Sequence, residues 1–61
     1  MTKEIEAKVA ADFDKVYETE YGFHPLTLQK YVDVWGRKGN MRKSIRYYYN
    51  GKTIRIEEGR N

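Results

Sequence analysis

Among side chains able to do chemistry, the chain offers one histidine, nine carboxylates and no cysteine. His24 lies between Phe23 and Pro25. A general base works with an orienting partner and a nucleophile, and no serine or cysteine stands near His24 in sequence. It reads as a loop histidine. Asp12, Asp14, Glu18 and Glu20 fall on the polar side of a helical pattern. Their spacing matches no EF-hand, which also needs a glycine at its sharp turn. Gly22, Gly36, Gly39, Gly51 and Gly59 form neither a dinucleotide fingerprint nor a phosphate-binding loop and serve better as turns or caps. Without cysteine there is no thiolate metal site and no disulfide framework. The chain therefore reads as a non-enzyme with no catalytic residues, no metal ligands and no cofactor, working by binding.

What could bind is set by cations and rings. Six tyrosines, two phenylalanines and one tryptophan are many for 61 residues. The net charge of +3 is unevenly spread. Residues 1–20 hold three lysines and six acids, a net of −3, while residues 21–61 hold nine bases and three acids, a net of +6. A basic two-thirds hints at a polyanionic partner, against the plainer reading of a solvated surface. The candidate binding residues are Lys30, Tyr31, Trp35, Arg37, Lys38, Arg42, Arg46, Tyr48 and Arg55.

The elements must place those residues. Ile5, Val9, Phe13, Val16 and Tyr17 recur as one helical face, which predicts a helix over about 3–20. Thr2 would cap it, Glu4 and Glu6 would sit in the first turn where the dipole favours acids, and Gly22 and Pro25 would end it. A connector over 21–28 follows. Val32 and Val34 alternate with Tyr31, Asp33 and Trp35, which predicts a strand near 29–36, with a turn at Lys38-Gly39-Asn40. Asn50-Gly51 is the preferred type I′ pair and predicts a hairpin with strands near 41–49 and 52–58. With a two-residue loop, Tyr49 faces Lys52, Tyr47 faces Ile54 and Ile45 faces Ile56 on an apolar inner face. Arg46 then faces Arg55 on the outer face, an unfavourable pairing that an external anion would relieve.

The expected fold is α+β: one amphipathic helix packed on a three-stranded antiparallel meander, a single domain over 1–61 with its sheet at about 29–58. A chain this short buries roughly 60% of its unfolded surface, so stability is expected to be marginal. The rival arrangement makes Leu26–Trp35 a helix and the hairpin the wing of a winged helix-turn-helix. Thr27–Gly36 followed by Ser44-Ile45-Arg46-Tyr47-Tyr48 resembles the helix-turn-helix of MerR-type regulators and phage excisionases, with a longer connection after Gly36. The order helix, strand, strand, strand is similar to the front of a double-stranded-RNA-binding domain, whose closing helix finds no counterpart before Asn61. Fold likeness of this kind carries little about function.

Two partner classes stand side by side. Cations neutralise phosphates while rings stack on unpaired bases, so the outer sheet face would bind DNA or RNA. Tyr, Trp and Arg are equally the residues of protein interfaces, so a small phage-like inhibitor or adaptor docking an acidic protein surface is the alternative. A homodimer burying Trp35 and Tyr48 would also explain outward rings. The polar N-terminus and the lack of a long apolar run predict a cytoplasmic protein without a membrane segment.

Overall fold

The computed structural model describes residues 2–59, so Arg60, counted above among the bases, lies outside the described residues. The chain runs α1 (Lys3–Asp12), β1 (Lys15–His24), β2 (Gln29–Lys38), β3 (Met41–Tyr49) and β4 (Ile54–Glu58). The four strands form one antiparallel meander in the order β1-β2-β3-β4. The α+β class holds, with four strands rather than three. No helix occupies residues 26–36, so the winged arrangement gains no support.

The helix begins as its sequence requires. The Thr2 hydroxyl accepts the Ile5 N–H at 3.2 Å, satisfying one of the donors that a helix start leaves open. Glu4 and Glu6 occupy the first turn. The helix ends at Asp12, eight residues earlier than its apolar spacing predicts. Val16, Tyr17, Thr19, Tyr21 and Phe23 are β-branched or aromatic, poor in helices and well suited to a pleated surface. They form β1, which pairs along β2 from Lys15↔Arg37 to His24↔Gln29. What reads as a connector over 21–28 is the end of β1 and a four-residue turn.

A bulge explains why β1 is hard to recognise. The register slips between Val16 and Glu18, leaving Tyr17 as the extra residue. The slip reverses the parity of the strand. Val16 lies opposite Gly36 and Tyr21 opposite Val32, both on the helix side, while Glu18 and Glu20 lie opposite Trp35 and Asp33 on the outer side. The alternation of Thr19, Tyr21 and Phe23 with Glu18, Glu20 and Gly22 begins only after the bulge, and before it the adjacent Val16-Tyr17 continues the helical spacing of Ile5, Val9 and Phe13.

The core lies between α1 and the inner sheet face: Ile5, Val9, Phe13, Val32, Val34, Ile45 and Tyr47, with Tyr49 and Ile54 packed against it. The Tyr47 hydroxyl, wholly buried, donates to Asp12 Oδ2 at 2.9 Å. Burial first, and that hydrogen bond second, push its phenol well above the ordinary value of 10.0.

The final hairpin differs from its expected register. Tyr49 faces Ile54, Tyr47 faces Ile56, Arg46 faces Glu57 and Tyr48 faces Arg55. The loop is four residues long because Asn50 acts through its side chain. Its Oδ1 accepts the N–H groups of Lys52 and Thr53, both at 3.0 Å. Only Gly51 has the positive φ that a type I′ turn would demand of both residues. The shift is by two residues, so each side chain keeps its face while its partner changes.

Candidate nucleic-acid interface

The outer face is read row by row from the pairings. Along β2 it carries Tyr31, Asp33, Trp35 and Arg37; along β3, Tyr48, Arg46, Ser44 and Arg42 opposite them. Beyond β3 lie Arg55 and Glu57 of β4, and beyond β2 lie Gly22, Glu20 and Glu18 of β1.

The middle of this face is satisfied internally. Arg46 meets Asp33 through two bonds, Nε to Oδ1 at 2.6 Å and Nη2 to Oδ2 at 2.9 Å. That two-pronged contact is the strong form of a charge pair and raises the guanidinium above its already high ordinary value. The same guanidinium lies 3.9 Å above the Tyr31 ring. Arg55 covers the Tyr48 ring at 4.1 Å and bonds Glu57 at 3.2 Å, and Tyr48 donates its hydroxyl to Glu57. Tyr48 is only 3% exposed. Two expectations fall here. Arg46 and Arg55 do not oppose each other, because the loop is longer, and Tyr48 offers no face for stacking, because Tyr31 and Arg55 cover it. Lys30 is also misplaced: it shares the parity of Val32 and Val34 and stands on the helix side, opposite Tyr49. A hollow of about 400 Å³ beside Trp35 is lined by Asp33, Glu57 and Glu58 as well as Arg46, a poor setting for a phosphate.

The structure brings Trp35, Arg37, Lys38 and Arg42 together at the end of the sheet where β2 turns into β3. Sequence reasoning misses three residues that join them: Lys15, Tyr17 and Lys43. The first two fall inside the predicted helix, and only the bulge reveals where Tyr17 goes. Its ring lies between two cations, with Lys15 Nζ at 5.8 Å and the Arg42 guanidinium at 5.3 Å. Lys43 lies over the Phe13 ring at 5.3 Å. Tyr17, Trp35, Gly36, Arg42 and Lys43 line a slot of about 240 Å³. Glu18, opposite Trp35, bounds this basic zone on one side.

The turn beneath the zone is braced. Asp14 Oδ2 accepts the Gly39 N–H at 2.7 Å, and Lys38 Nζ reaches Asp14 at 3.5 Å and the Ala11 carbonyl at 3.3 Å. The Gly39 bond first, and Lys38 after it, hold the Asp14 carboxyl below the usual 3.8. Arg37 Nη1 donates to the Gly39 carbonyl at 3.0 Å. Lys38 and Arg37 thus brace the turn, Lys15 and Arg42 lie against the Tyr17 ring, and Lys43, which shares the parity of Ile45, stands on the helix side over Phe13.

The class so defined is a helix-backed antiparallel meander with a braced cationic and aromatic end. No family model, curated protein or solved structure matches the chain. No group of three or more His, Asp or Glu converges as a metal set among the described residues, and no helix there is long and apolar enough to cross a membrane.

Proposed function

We propose that this chain is a non-enzymatic nucleic-acid-binding protein that engages its ligand through the β2–β3 end of the sheet. One observation carries the reading: Lys15 and Arg42 lie over the exposed ring of Tyr17, and Tyr17, Trp35, Gly36, Arg42 and Lys43 line one slot with no acid among them. Cations at such a site neutralise phosphates and release counterions; exposed rings stack on unpaired bases. The acids Glu18, Glu20, Asp33 and Glu57 on the rest of the outer face disfavour phosphate there and favour contact at this end.

Trp35 is the only tryptophan, so its fluorescence reports directly on the slot. Titration with a short single-stranded oligonucleotide should change that fluorescence. The variant Lys15→Gln/Arg42→Gln should bind at least tenfold more weakly at low salt, with a salt slope shallower by about one to two units. Both side chains are exposed, so circular dichroism should be unchanged. Absence of any fluorescence change or gel shift with single strands or duplex, DNA or RNA, would defeat the reading and leave an acidic protein surface as the partner of the same cations.

A further inference from the structure

The opposite end of the sheet is apolar. Pro25-Leu26-Thr27-Leu28 joins β1 to β2, and Leu26 and Leu28 are 88% and 73% exposed. Tyr21 and Phe23 follow on the helix side of β1, 61% and 53% exposed. Turns ordinarily select Gly, Asn, Asp or Ser, each for a conformational or hydrogen-bonding reason that leucine lacks. Leu28 also takes a φ of +58°, the left-handed region that disfavours a side chain with a Cβ. Two leucines held in solvent, one of them in a strained conformation, gain nothing for the isolated fold.

The turn is nevertheless held by hydrogen bonds to His24. His24 Nδ1 accepts the N–H groups of Leu26 at 3.3 Å and Thr27 at 3.4 Å, and its carbonyl accepts the Leu28 N–H at 2.8 Å. Beside it on the helix side lies a hollow of about 300 Å³, walled by Ile5, Tyr21, Val32 and Tyr49 with Lys30 at its polar edge. It lies where α1 leaves part of the ten-residue strands β1 and β2 uncovered. A projection and a receiving hollow at the same end of one chain are what a two-fold pair requires, each copy offering both.

The area also fits. The four exposed apolar side chains present roughly 500 Å², in the upper part of the roughly 300–600 Å² that the largest apolar patch on a monomer spans, a size that is often functional. A stable pair buries about 800 Å² per partner, somewhat over half of it apolar. Residues 22–29 carry no formal charge, so the turn itself brings no charge to the contact, and Lys30 is the one charged residue among those lining the hollow. We propose that the β1–β2 turn docks a second copy of this chain, with Leu26 and Leu28 of each entering the Ile5–Tyr21–Tyr49 hollow of the other. This inference is independent of the nucleic-acid reading and is tested without any nucleic acid.

Sedimentation equilibrium of the full chain from micromolar to millimolar concentration should show a monomer–dimer equilibrium. Leu26→Ser/Leu28→Ser should leave the circular dichroism unchanged and weaken association at least tenfold. Leu28→Gly relieves the backbone while removing the projection, so it should keep or raise the melting temperature of the dilute monomer and still weaken the dimer. Tyr21→Glu, on the receiving side, should do the same to association. A wild-type chain that remains monomeric throughout, or a double serine variant that pairs as tightly as wild type, overturns the proposal.

Discussion

At the residue scale, the side chains with the strongest apparent binding chemistry are committed elsewhere in the fold. Arg46 is placed by the Asp33 carboxylate on the neighbouring strand and by the Tyr31 ring. Arg46→Glu would set a carboxylate between Asp33 and Glu57, and should destabilise by about 1–3 kcal/mol after allowance for its partial exposure. Urea denaturation measures this; a variant as stable as wild type would mean the pair contributes nothing. Asp14 makes a pH-dependent contribution. Its folded pKa lies below the ordinary 3.8, so the unfolded chain binds the proton first as pH falls. The stabilisation is complete above 3.8 and is lost as pH drops through the lower folded value. Asp14→Asn should therefore flatten the acid limb of the stability–pH curve below 3.8, and an unchanged limb would assign acid sensitivity to other carboxylates. Tyr47 has the opposite sign: its folded value is raised, so its stabilisation is present below 10.0 and lost as pH climbs through that raised value.

At the element scale, the join between α1 and β1 is the critical piece. Phe13 is both the residue after the helix and a core side chain, 4% exposed. Phe13→Ala should cost about 3–5 kcal/mol, enough to unfold much of a domain this small, and thermal melting reads it directly. Gly36 is where β2 meets this join. A Cβ there would collide with the Lys15 carbonyl and with the Phe13 ring at 2.7 Å. Gly36→Ala should cost about 1–3 kcal/mol through forced displacement of that backbone. A melting temperature within a degree or two of wild type would show that the strand moves away freely. The bulge at Tyr17 belongs to the same region and links fold to site. It turns the acids of β1 outward, keeps Tyr21 and Phe23 on the helix side, and places the Tyr17 ring between Lys15 and Arg42.

At the scale of the whole molecule, the described chain measures 34 × 22 × 15 Å and differs at its two ends. Cations collect where β2 turns into β3; apolar side chains collect where β1 turns into β2. Much of this was legible locally. The alternation of Val32 and Val34 and of Ile45 and Tyr47 defines the strands and their buried face, because side-chain direction in a strand has a period of two wherever it lies. Thr2, Ile5, Val9 and Phe13 define the helix start and its core stripe for the same local reason. The sequence by itself thus determined the α+β class, the helix stripe of Ile5, Val9 and Phe13 and the inner positions Val32, Val34, Ile45, Tyr47 and Ile54; Val16, Tyr17 and Ile56, expected inside, are 41%, 46% and 38% exposed, and Tyr48, expected outside, is 3% exposed. The tertiary structure decided that the fourth strand begins at Lys15: Thr19, Tyr21 and Phe23 alternate with Glu18, Glu20 and Gly22 in the sequence, but the bulge at Tyr17 puts Val16 and Tyr17 out of that phase and in step with the helical stripe. Only the side-chain bonds of Asn50 decided a four-residue loop, and the resulting two-residue shift exchanged the Arg46–Arg55 pairing for Arg46–Glu57. Cross-strand partners depend on register, and register is a property of two strands together. For that reason the basic zone, assembled from β1, β2 and β3, could not be read from any one segment of the chain.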